Sequence, residues 1–364
     1  MNNILILVFV IISIIVFSMV LKKKSEERTK NTTAIFETNK TKYFASLDKD
    51  INFRNLAKKD SLAGLLSLII RNDVPKSVDK SYKDSADSQG SGRLLLALDY
   101  TRGTDTPSWW DAIKKGPKNV VTTQIITPML THFREIDGVE ILRHDIGYAA
   151  PFRDSLLTSQ TSNQTGHMLC ALESGMRYGY YSKHWFQKIF YEAGLKTAGL
   201  LLGLDGVQPT IEDWSRAGII GHEMVGSKDG FVGQMKAYGK LVSNGDPYKI
   251  RDSWDNAVKS VLNGDHKSAW ANIRTITQVA EIPENIKQVE ENKKNPAPRF
   301  AQFGEDRSGN SLQDMGLSVY GFAIGLKAST DGYPTNGDVY NDVYNLLSKD
   351  GKYAKYITLV ANIK

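Results

Sequence analysis

Two segments of the sequence carry the residue types that perform acid–base chemistry or bind metal ions. His167 lies at the predicted start of one helix, and His222 directly precedes Glu223 in another helix that is mostly apolar and contains several glycines. If these helices face each other, two imidazoles and a carboxylate meet, with Asp213 as a further acid. Such a group could share general acid/base work or bind a divalent metal ion. His167, His222 and Glu223 are therefore our candidate catalytic residues.

The polar face around His167 has a second interpretation. Three further polar side chains lie on the same face of its predicted helix, at intervals of one to three turns: Cys170, Ser174 and Tyr178. A polar stripe can line a cleft, but it also suits contact with solvent or with another helix. Glu173 points away from this face, and its spacing from Arg177 predicts an ordinary i,i+4 ion pair.

Glu223 is unusual because the residues around it are apolar. Charged side chains are almost never fully buried unless they are paired. We therefore expect Glu223 either to meet a cation, for which Arg216 two turns earlier is the candidate, or to serve a site. The His222-Glu223 pair lacks the second histidine at i,i+4 that makes a zinc-binding helix recognisable. A metal site would therefore need ligands from two helices.

Other chemical signals are weaker. His144-Asp145 superficially resembles the paired metal ligands of HD phosphohydrolases, but it follows a short extended stretch and the other ligands of that family cannot be placed. The sequence contains no P-loop, Gly-x-Ser-x-Gly elbow, CxxC, HExxH or dinucleotide fingerprint. Residues 177–191 are dense in aromatic side chains. These could stack a sugar or base or rest at a membrane interface, although core packing is the commoner use.

The elements that must position these residues begin with a membrane anchor. Residues 4–21 are apolar except for Ser13 and Ser18, and as a helix they would reach roughly 27 Å, close to the thickness of the hydrocarbon core. A buried helix and a cleavable signal peptide are the alternatives. A signal peptide normally starts with positive charge and ends at a small-residue cleavage site, whereas this segment starts uncharged and runs into three lysines at 22–24. We predict one transmembrane helix that stays attached.

The charges beside the predicted span indicate its orientation. Five basic residues lie between Lys22 and Lys30, and none precedes the span. The positive-inside rule therefore predicts a single-pass protein whose large domain faces the cytoplasm. The chain has one cysteine, Cys170, which excludes an internal disulfide framework and suits a reducing compartment.

The distribution of charge disfavours nucleic acid as a partner. The net charge is +6, but 15 of the 46 Lys+Arg and 10 of the 40 Asp+Glu lie before residue 93, leaving 31 against 30 in the remainder. A nucleic-acid-binding domain normally shows a clustered basic excess. The positive charge beside the span instead favours anionic lipid headgroups. We therefore predict the lipid bilayer, contacted through residues 4–21, as a partner.

Composition and periodicity divide the chain into four regions. Residues 1–21 are the anchor, and 22–75 are a charged juxtamembrane stalk that ends in an amphipathic helix at 62–70. Residues 76–92 are rich in Ser, Asp, Lys and Gly, which is the composition of a flexible linker. Residues 93–364 form a multi-helix globular domain, and we predict a mainly α fold with minor β.

Local signals within the globular domain predict particular helices. Apolar stripes with helical spacing run over 121–133, 250–261 and 312–326. Asn-Gly-Asp triplets starting at 244, 263 and 336 suggest a glycine that closes one helix and an aspartate that caps the next. The helix at 312 would be capped by Asn310 or Ser311, with Gln313 or Asp314 completing a capping box. Extended segments are predicted at 94–98, 139–142 and 356–360.

Two functions from different classes fit these features. The first is a membrane-anchored hydrolase whose His and acid site, open to a divalent metal, lies between the helices bearing His167 and His222. The second is a non-catalytic tethered module that presents a helical surface to a protein partner. Convergence of the two histidines with an acid would favour the enzyme. Scattered histidines and a large exposed apolar patch would favour the module.

Overall fold

The protein is mainly helical, as predicted, in the parts of the chain that the computed structural model describes. These are residues 34–102, 134–137, 139–140, 142, 147–150, 152, 164–226, 230–282 and 311–361. Helices α1 to α5 cover 34–49, Ile51–Lys59, Ser61–Ile70, Lys76–Ala86 and Gln89–Thr101. Helices α6 to α11 cover Gln164–Lys183, Trp185–Leu202, Ile211–Val225, Gly230–Asn244, Pro247–Leu262 and His266–Val279. Helices α12 to α14 cover Leu312–Thr330, Asn336–Leu347 and Ala354–Ala361.

The β structure is minor, which also agrees with the prediction. Strands β1 (Glu135–Ile136) and β2 (Val139–Glu140) pair antiparallel, with Glu135 opposite Glu140 and Ile136 opposite Val139. Two of the three predicted extended segments are helical instead. Residues 94–98 lie inside α5, and 356–360 lie inside α14.

No helix in the described part of the chain is long and apolar enough to cross a membrane. The predicted span at 4–21 and the helix predicted at 121–133 both lie outside the described residues. Both therefore stay predictions.

The flexible linker predicted at 76–92 is wrong. Helix α4 and the first turn of α5 occupy this segment, and they are joined by Asp87 in the left-handed conformation at φ 57°. Val78 and Tyr82, the large hydrophobic residues of the segment, are both buried and anchor α4 to the core. The polar composition marks the solvent side of a helix, because two apolar residues four positions apart are enough to fix one face of it.

The domain boundary predicted at 92/93 falls inside α5. The start of this helix is held by the turn after α12, since the Gly90 N–H donates to the Tyr333 carbonyl at 2.9 Å and the Ser91 hydroxyl donates to the Ala328 carbonyl at 2.7 Å. Buried side chains from α1 to α5 and from the later helices belong to one hydrophobic core. The helix predicted at 62–70 is α3, which contributes to this core.

Helix ends follow the local signals in most places. Asp246 and Asp265 cap α10 and α11, and Gly264 turns the chain between those helices at φ +72°. The third Asn-Gly-Asp triplet acts differently, because it lies inside the first turn of α13, where Asp338 completes a capping box with Thr335. The other predicted capping residues, Ser311 and Asp314, start α12. Helices α10 and α12 bury the stripes predicted for them.

Helices α6 and α12 form the close central pair that positions the N-terminal turn of α6. Both carry glycines four residues apart, Gly175 and Gly179 on α6 and Gly321 and Gly325 on α12. A Cβ on Gly175 would overlap the Phe322 carbonyl oxygen, and one on Gly325 would overlap that of Leu172. The two backbones can therefore approach closely because side chains are absent at these positions. This contact fixes α6 as a rigid support for His167.

Candidate functional site

The predicted site residues lie where α6 packs antiparallel against α8. His167, in the first turn of α6, meets Glu223 in the last turns of α8. Eleven residues further along α6, the Tyr178 hydroxyl donates to Glu212 near the start of α8. Hydrogen bonds at both ends therefore fix the register of the two helices. The start of α8 is itself capped by Thr210.

His167 and Glu223 form a buried hydrogen-bonded dyad. The His167 Nδ1 and Glu223 Oε1 atoms are 2.5 Å apart, and the side chains are 6% and 1% exposed. A carboxylate oxygen only accepts, so Nδ1 carries the proton and Nε2 carries the lone pair of the neutral ring. A buried carboxylate on Nδ1–H fixes the tautomer of the imidazole and stabilises the ring when it takes up a second proton. In the neutral form of the ring, His167 can accept a proton at Nε2.

His222 completes the cluster as a hydrogen-bond donor. Its ring centroid is 5.1 Å from that of His167. The Gln234 amide nitrogen lies 2.9 Å from the Gly226 carbonyl oxygen and 3.0 Å from His222 Nδ1. Because the carbonyl oxygen can only accept, the Gln234 NH₂ group must face it, and that same group donates to His222 Nδ1. The proton of neutral His222 is therefore on Nε2.

His222 stays neutral near pH 7. Burial lowers the pKa of His222 to about 4, and the charge of a protonated His167 acts in the same direction, while Glu223 opposes both. The cluster therefore holds two imidazoles with different roles. His167 is paired with a carboxylate, whereas His222 offers a neutral N–H.

The three side chains form a donor set of the kind that binds divalent metal ions. The ligand-type atoms of His167, His222 and Glu223 lie within 4.8 Å of one another, and two histidines with a carboxylate suit Zn²⁺ or Fe²⁺. Two ligand atoms on one tetrahedral zinc ion lie roughly 3.3 Å apart, which is longer than the 2.5 Å between His167 Nδ1 and Glu223 Oε1. Coordination through His222 Nε2 would also place a proton on Nδ1, against the Gln234 NH₂ group. The arrangement fits a shared proton better than an ion.

Cys170 lies one turn after His167 but is not poised as a nucleophile. Burial raises the pKa of its thiol to about 12; the Arg102 guanidinium opposes this shift and Glu223 adds to it. The thiolate is the nucleophilic form of cysteine, so the thiol stays protonated and unreactive at neutral pH.

Arg216 is not the partner of Glu223, so that prediction is wrong. Its guanidinium lies 2.6 Å from Asp255 and 3.5 Å from Asp213. Asp213 belongs to the same distant cluster, where it also accepts from Arg251 at 2.8 Å. Burial alone would raise the pKa of Asp213, but hydrogen bonds from Arg251 and the Gln208 N–H outweigh it and hold the pKa below its ordinary value. Asp213 therefore stabilises the start of α8 and does not reach the site.

Two side chains that support the site, Gln234 and Arg102, were not predicted from the sequence. Gln234 gave no signal, because it lies on α9 and reaches His222 through the close contact at Gly221. Arg102 and Glu173 form a buried ion pair beside Cys170. The predicted pair of Glu173 with Arg177 is present, at 3.2 Å, but Glu173 also serves the more deeply buried Arg102.

The remaining candidates lie elsewhere. His266 is buried and shares a hydrogen bond with the Tyr320 hydroxyl at 2.6 Å, and His184 stacks on Tyr180. His132 and His144-Asp145 lie outside the described residues. The aromatic segment 177–191 divides: Tyr181 and Tyr191 are buried, as core packing predicts, whereas the aromatic residues at 185, 186 and 190 are exposed.

Comparisons with known proteins supply no function. No family model matches the chain, and neither the curated proteins nor the solved structures give a match. Function is therefore argued from the chemistry of the site.

Proposed function

We propose that this protein is a membrane-anchored hydrolase in which His167 is the general base. The observation that carries the proposal is the buried 2.5 Å contact between His167 Nδ1 and Glu223 Oε1, beside a second histidine that is neutral. A buried dyad of this kind is costly to desolvate unless it is well satisfied. Perturbed titratable groups that cluster in this way are typical of functional sites. The anchor is the segment predicted at 4–21.

The roles of the three residues follow from their protons. His167 Nε2 takes a proton from a water molecule as the water oxygen attacks the electrophilic carbon or phosphorus of the substrate. Glu223 stabilises the resulting imidazolium through Nδ1–H. His222 Nε2–H donates to the oxygen on which negative charge develops. The proton held on His167 then passes to the leaving group as its bond to the substrate breaks.

The position of the site between helix ends supports this division of roles. His167 lies in the first turn of α6, and Glu223 approaches that turn, where the N-terminal partial positive charge of the helix favours a carboxylate. His222 lies in the last turn of α8, where its Nδ1 accepts from the Gln234 amide on α9. These contacts orient the rings before any substrate is present.

The test combines turnover with stability for the full chain in detergent micelles. A panel of chromogenic esters, amides, phosphodiesters and glycosides is assayed with the wild type, His167→Ala, Glu223→Gln and Glu212→Gln. The last variant is the matched control, since it makes the same change at the other end of α8. We expect His167→Ala and Glu223→Gln to lower turnover by about 10²-fold to 10⁴-fold, while Glu212→Gln keeps it.

Stability separates catalysis from a structural role. Glu223→Gln keeps an acceptor for Nδ1–H, so we expect its melting temperature to stay close to that of the wild type. A loss on the order of 3 kcal/mol with unchanged turnover would mean that the dyad only holds α6 to α8. Turnover that a chelator abolishes and Zn²⁺ restores would establish a metal site instead of the base.

The protonation states give a check that needs no substrate. The ¹⁵N chemical shifts of the imidazoles should show the proton on Nδ1 of His167 and on Nε2 of His222 near pH 7. A proton on Nδ1 of His222 would contradict the proposed donor. A panel without turnover, together with that tautomer, would reject the proposal.

A further inference from the structure

Helix α7 directs its most apolar side away from the core. Six large hydrophobic side chains are exposed along it, Trp185, Phe186, Ile189, Phe190, Leu200 and Leu201. Trp185 is 68% exposed and Leu201 is 81% exposed. We call these six residues the outward face of α7. An isolated exposed apolar residue is ordinary, but six large ones on a single helix mark a candidate interaction site.

The outward face lies on one side of the helix, as four residues near its start and two near its end, with the exposed Ala193, Lys196 and Thr197 between them. At about 100° per residue, the six side chains fall within an arc of about 160°. Tyr191 and Leu195 point to the opposite side and are buried. The helix therefore has two apolar sides. A narrow apolar stripe packs on the core, and a broader apolar surface faces out. At about 1.5 Å per residue, this surface is roughly 27 Å long.

Lys196 is the one charged residue of α7 within this arc, and it is exposed. The exposed Lys183 is the last residue of α6, two residues before α7 begins. The acid of the helix, Glu192, lies off the arc, where it is half-buried, pairs with Lys188 at 3.8 Å and accepts from the Ile211 N–H at 3.3 Å. Within α7 the outward face therefore combines apolar surface with positive charge and carries no acid.

This combination fits an anionic membrane surface better than a second copy of the chain. Packing two outward faces together would bury Lys196 of each copy against a face without a carboxylate, and an unpaired buried charge is costly. At a bilayer, the lysine stem can lie along the acyl region while the ammonium reaches a phosphate. Trp and Phe are also the aromatic residues expected at the level of the headgroups and in the apolar face of interfacial helices.

We propose that the outward face of α7 binds the surface of a bilayer that contains anionic phospholipids, with the helix lying parallel to the membrane plane. Its apolar side chains enter the boundary between headgroups and acyl chains, to a depth of about 5–10 Å. This contact is independent of the proposed hydrolase site. It also differs from the predicted span at 4–21, because it would orient the globular domain at the membrane, whereas the span would only tether it.

Trp185 provides a direct probe of the contact. The full chain is reconstituted into vesicles of phosphatidylcholine and phosphatidylserine, made with or without bromine on the acyl chains. Brominated chains quench tryptophans that lie close to them. We expect quenching in the wild type that is absent in Trp185→Phe, which keeps an aromatic side chain and removes the reporter. Segment 1–33 contains no tryptophan, so the predicted span adds no signal.

Charge variants test the chemistry of the partner. Phe186→Glu should abolish the quenching of Trp185, whereas the matched control Gln187→Glu, one residue along and outside the arc, should keep it. Lys196→Gln should weaken the contact about fivefold, which corresponds to ~1 kcal/mol for a basic residue near an anionic surface. The contact should also weaken in vesicles of phosphatidylcholine alone.

Three results would overturn the proposal. Equal quenching of the wild type and Trp185→Phe would show that α7 stays in water. Equal quenching with and without phosphatidylserine would show that the contact does not require an anionic lipid. Absent quenching, together with cross-linking of Ile189→Cys to its counterpart in a second copy, would assign the face to a dimer. Melting curves of every variant distinguish loss of the membrane contact from loss of the fold.

Discussion

Helices α7 and α8 follow each other in the chain, and they depart from the usual distribution of polar and apolar residues in opposite directions. Helix α8 buries Asp213, Arg216 and Glu223 in the interior. Helix α7 exposes six large apolar side chains and buries only Tyr191 and Leu195. The two helices contact each other. They differ in the partners that their buried polar and exposed apolar side chains have.

The two departures differ in what stabilises them. The buried charges of α8 have partners inside the fold, from Arg251 and Asp255 at one end to His167 at the other. Burial of a charge is tolerated when its partners are in place. The outward face of α7 stays exposed in the described part of the chain, and the proposed bilayer contact would cover it. In this pair of helices, the interior polar residues indicate a chemical role or fix the register of packed helices, and the exterior apolar residues indicate a surface that binds a partner.

The largest effect should come from Asp213, where the partners are charged and buried. Asp213→Ala removes the acceptor of Arg251, Tyr238 and the Gln208 N–H, and it leaves guanidinium charge in the interior. We expect a loss of about 3–5 kcal/mol in the free energy of unfolding, measured by denaturant titration. Asp252→Ala is the control, because that residue is exposed on the same helix as Arg251, and it should cost less than about 1 kcal/mol. Similar losses for both variants would contradict the comparison.

A smaller loss is expected where α8 meets α9. Gly221→Ala would place a Cβ against the Gln234 carbonyl oxygen, so the helices must separate, at a cost of about 1–3 kcal/mol. The shift should also move Gln234 from His222, which the ¹⁵N signal of His222 Nδ1 would report. Gly199→Ala on α7 is the matched control, because its Cβ would meet Trp214 only at 3.8 Å. That change should stabilise the helix by about 0.5–1 kcal/mol.

The same contrast explains what the sequence could predict. Stripes with strong helical spacing, such as that of α12, identified helices, and Ser311 with Asp314 marked its start, because these signals are local. The extended segment predicted at 94–98 is wrong, since leucines without polar alternation suit a buried helix equally well. The segment at 356–360 has β-branched residues, yet it lies in α14 and its Ile357 is buried, so tertiary packing overrides weak propensity there.

The candidate site could be predicted only in part. His167, His222 and Glu223 were recognisable because ionisable residues stood in apolar helices. The hydrogen bond between His167 and Glu223 joins residues 56 positions apart, and nothing local specifies which of several helices will meet. Gln234 has no chemical signal of its own, and its role follows from the absent side chain at Gly221. Arg216 was the wrong partner because spacing along α8 cannot show that α10 brings Asp255 to it.

A pH titration should sharpen the role of His222. Its pKa in the folded protein is about 4, below the ordinary value of 6.5. A histidine with a lowered pKa contributes stability that is fully present above the unfolded value and is lost as pH falls toward the folded value. The wild type should therefore lose stability between about pH 6.5 and pH 4 more steeply than His222→Gln. Parallel melting temperatures of the two proteins across this range would show that His222 is not buried as a neutral donor.

The smallest effect on stability is expected on the outward face of α7, and it is as diagnostic as the largest. Phe186 is 60% exposed, whereas Leu195 on the opposite side of the helix is 1% exposed. Phe186→Gln should change the free energy of unfolding by less than about 0.5 kcal/mol in the absence of lipid. Leu195→Ala should cost about 2–5 kcal/mol because it opens a cavity in the core.

Thermal melts of the full chain in detergent, compared with melts in vesicles containing phosphatidylserine, measure both variants. If the face binds a bilayer, vesicles should stabilise the wild type relative to Phe186→Gln and leave the deficit of Leu195→Ala unchanged. A large loss for Phe186→Gln without lipid would mean that the side chain packs within the fold, and the inverted distribution on α7 would no longer require a partner.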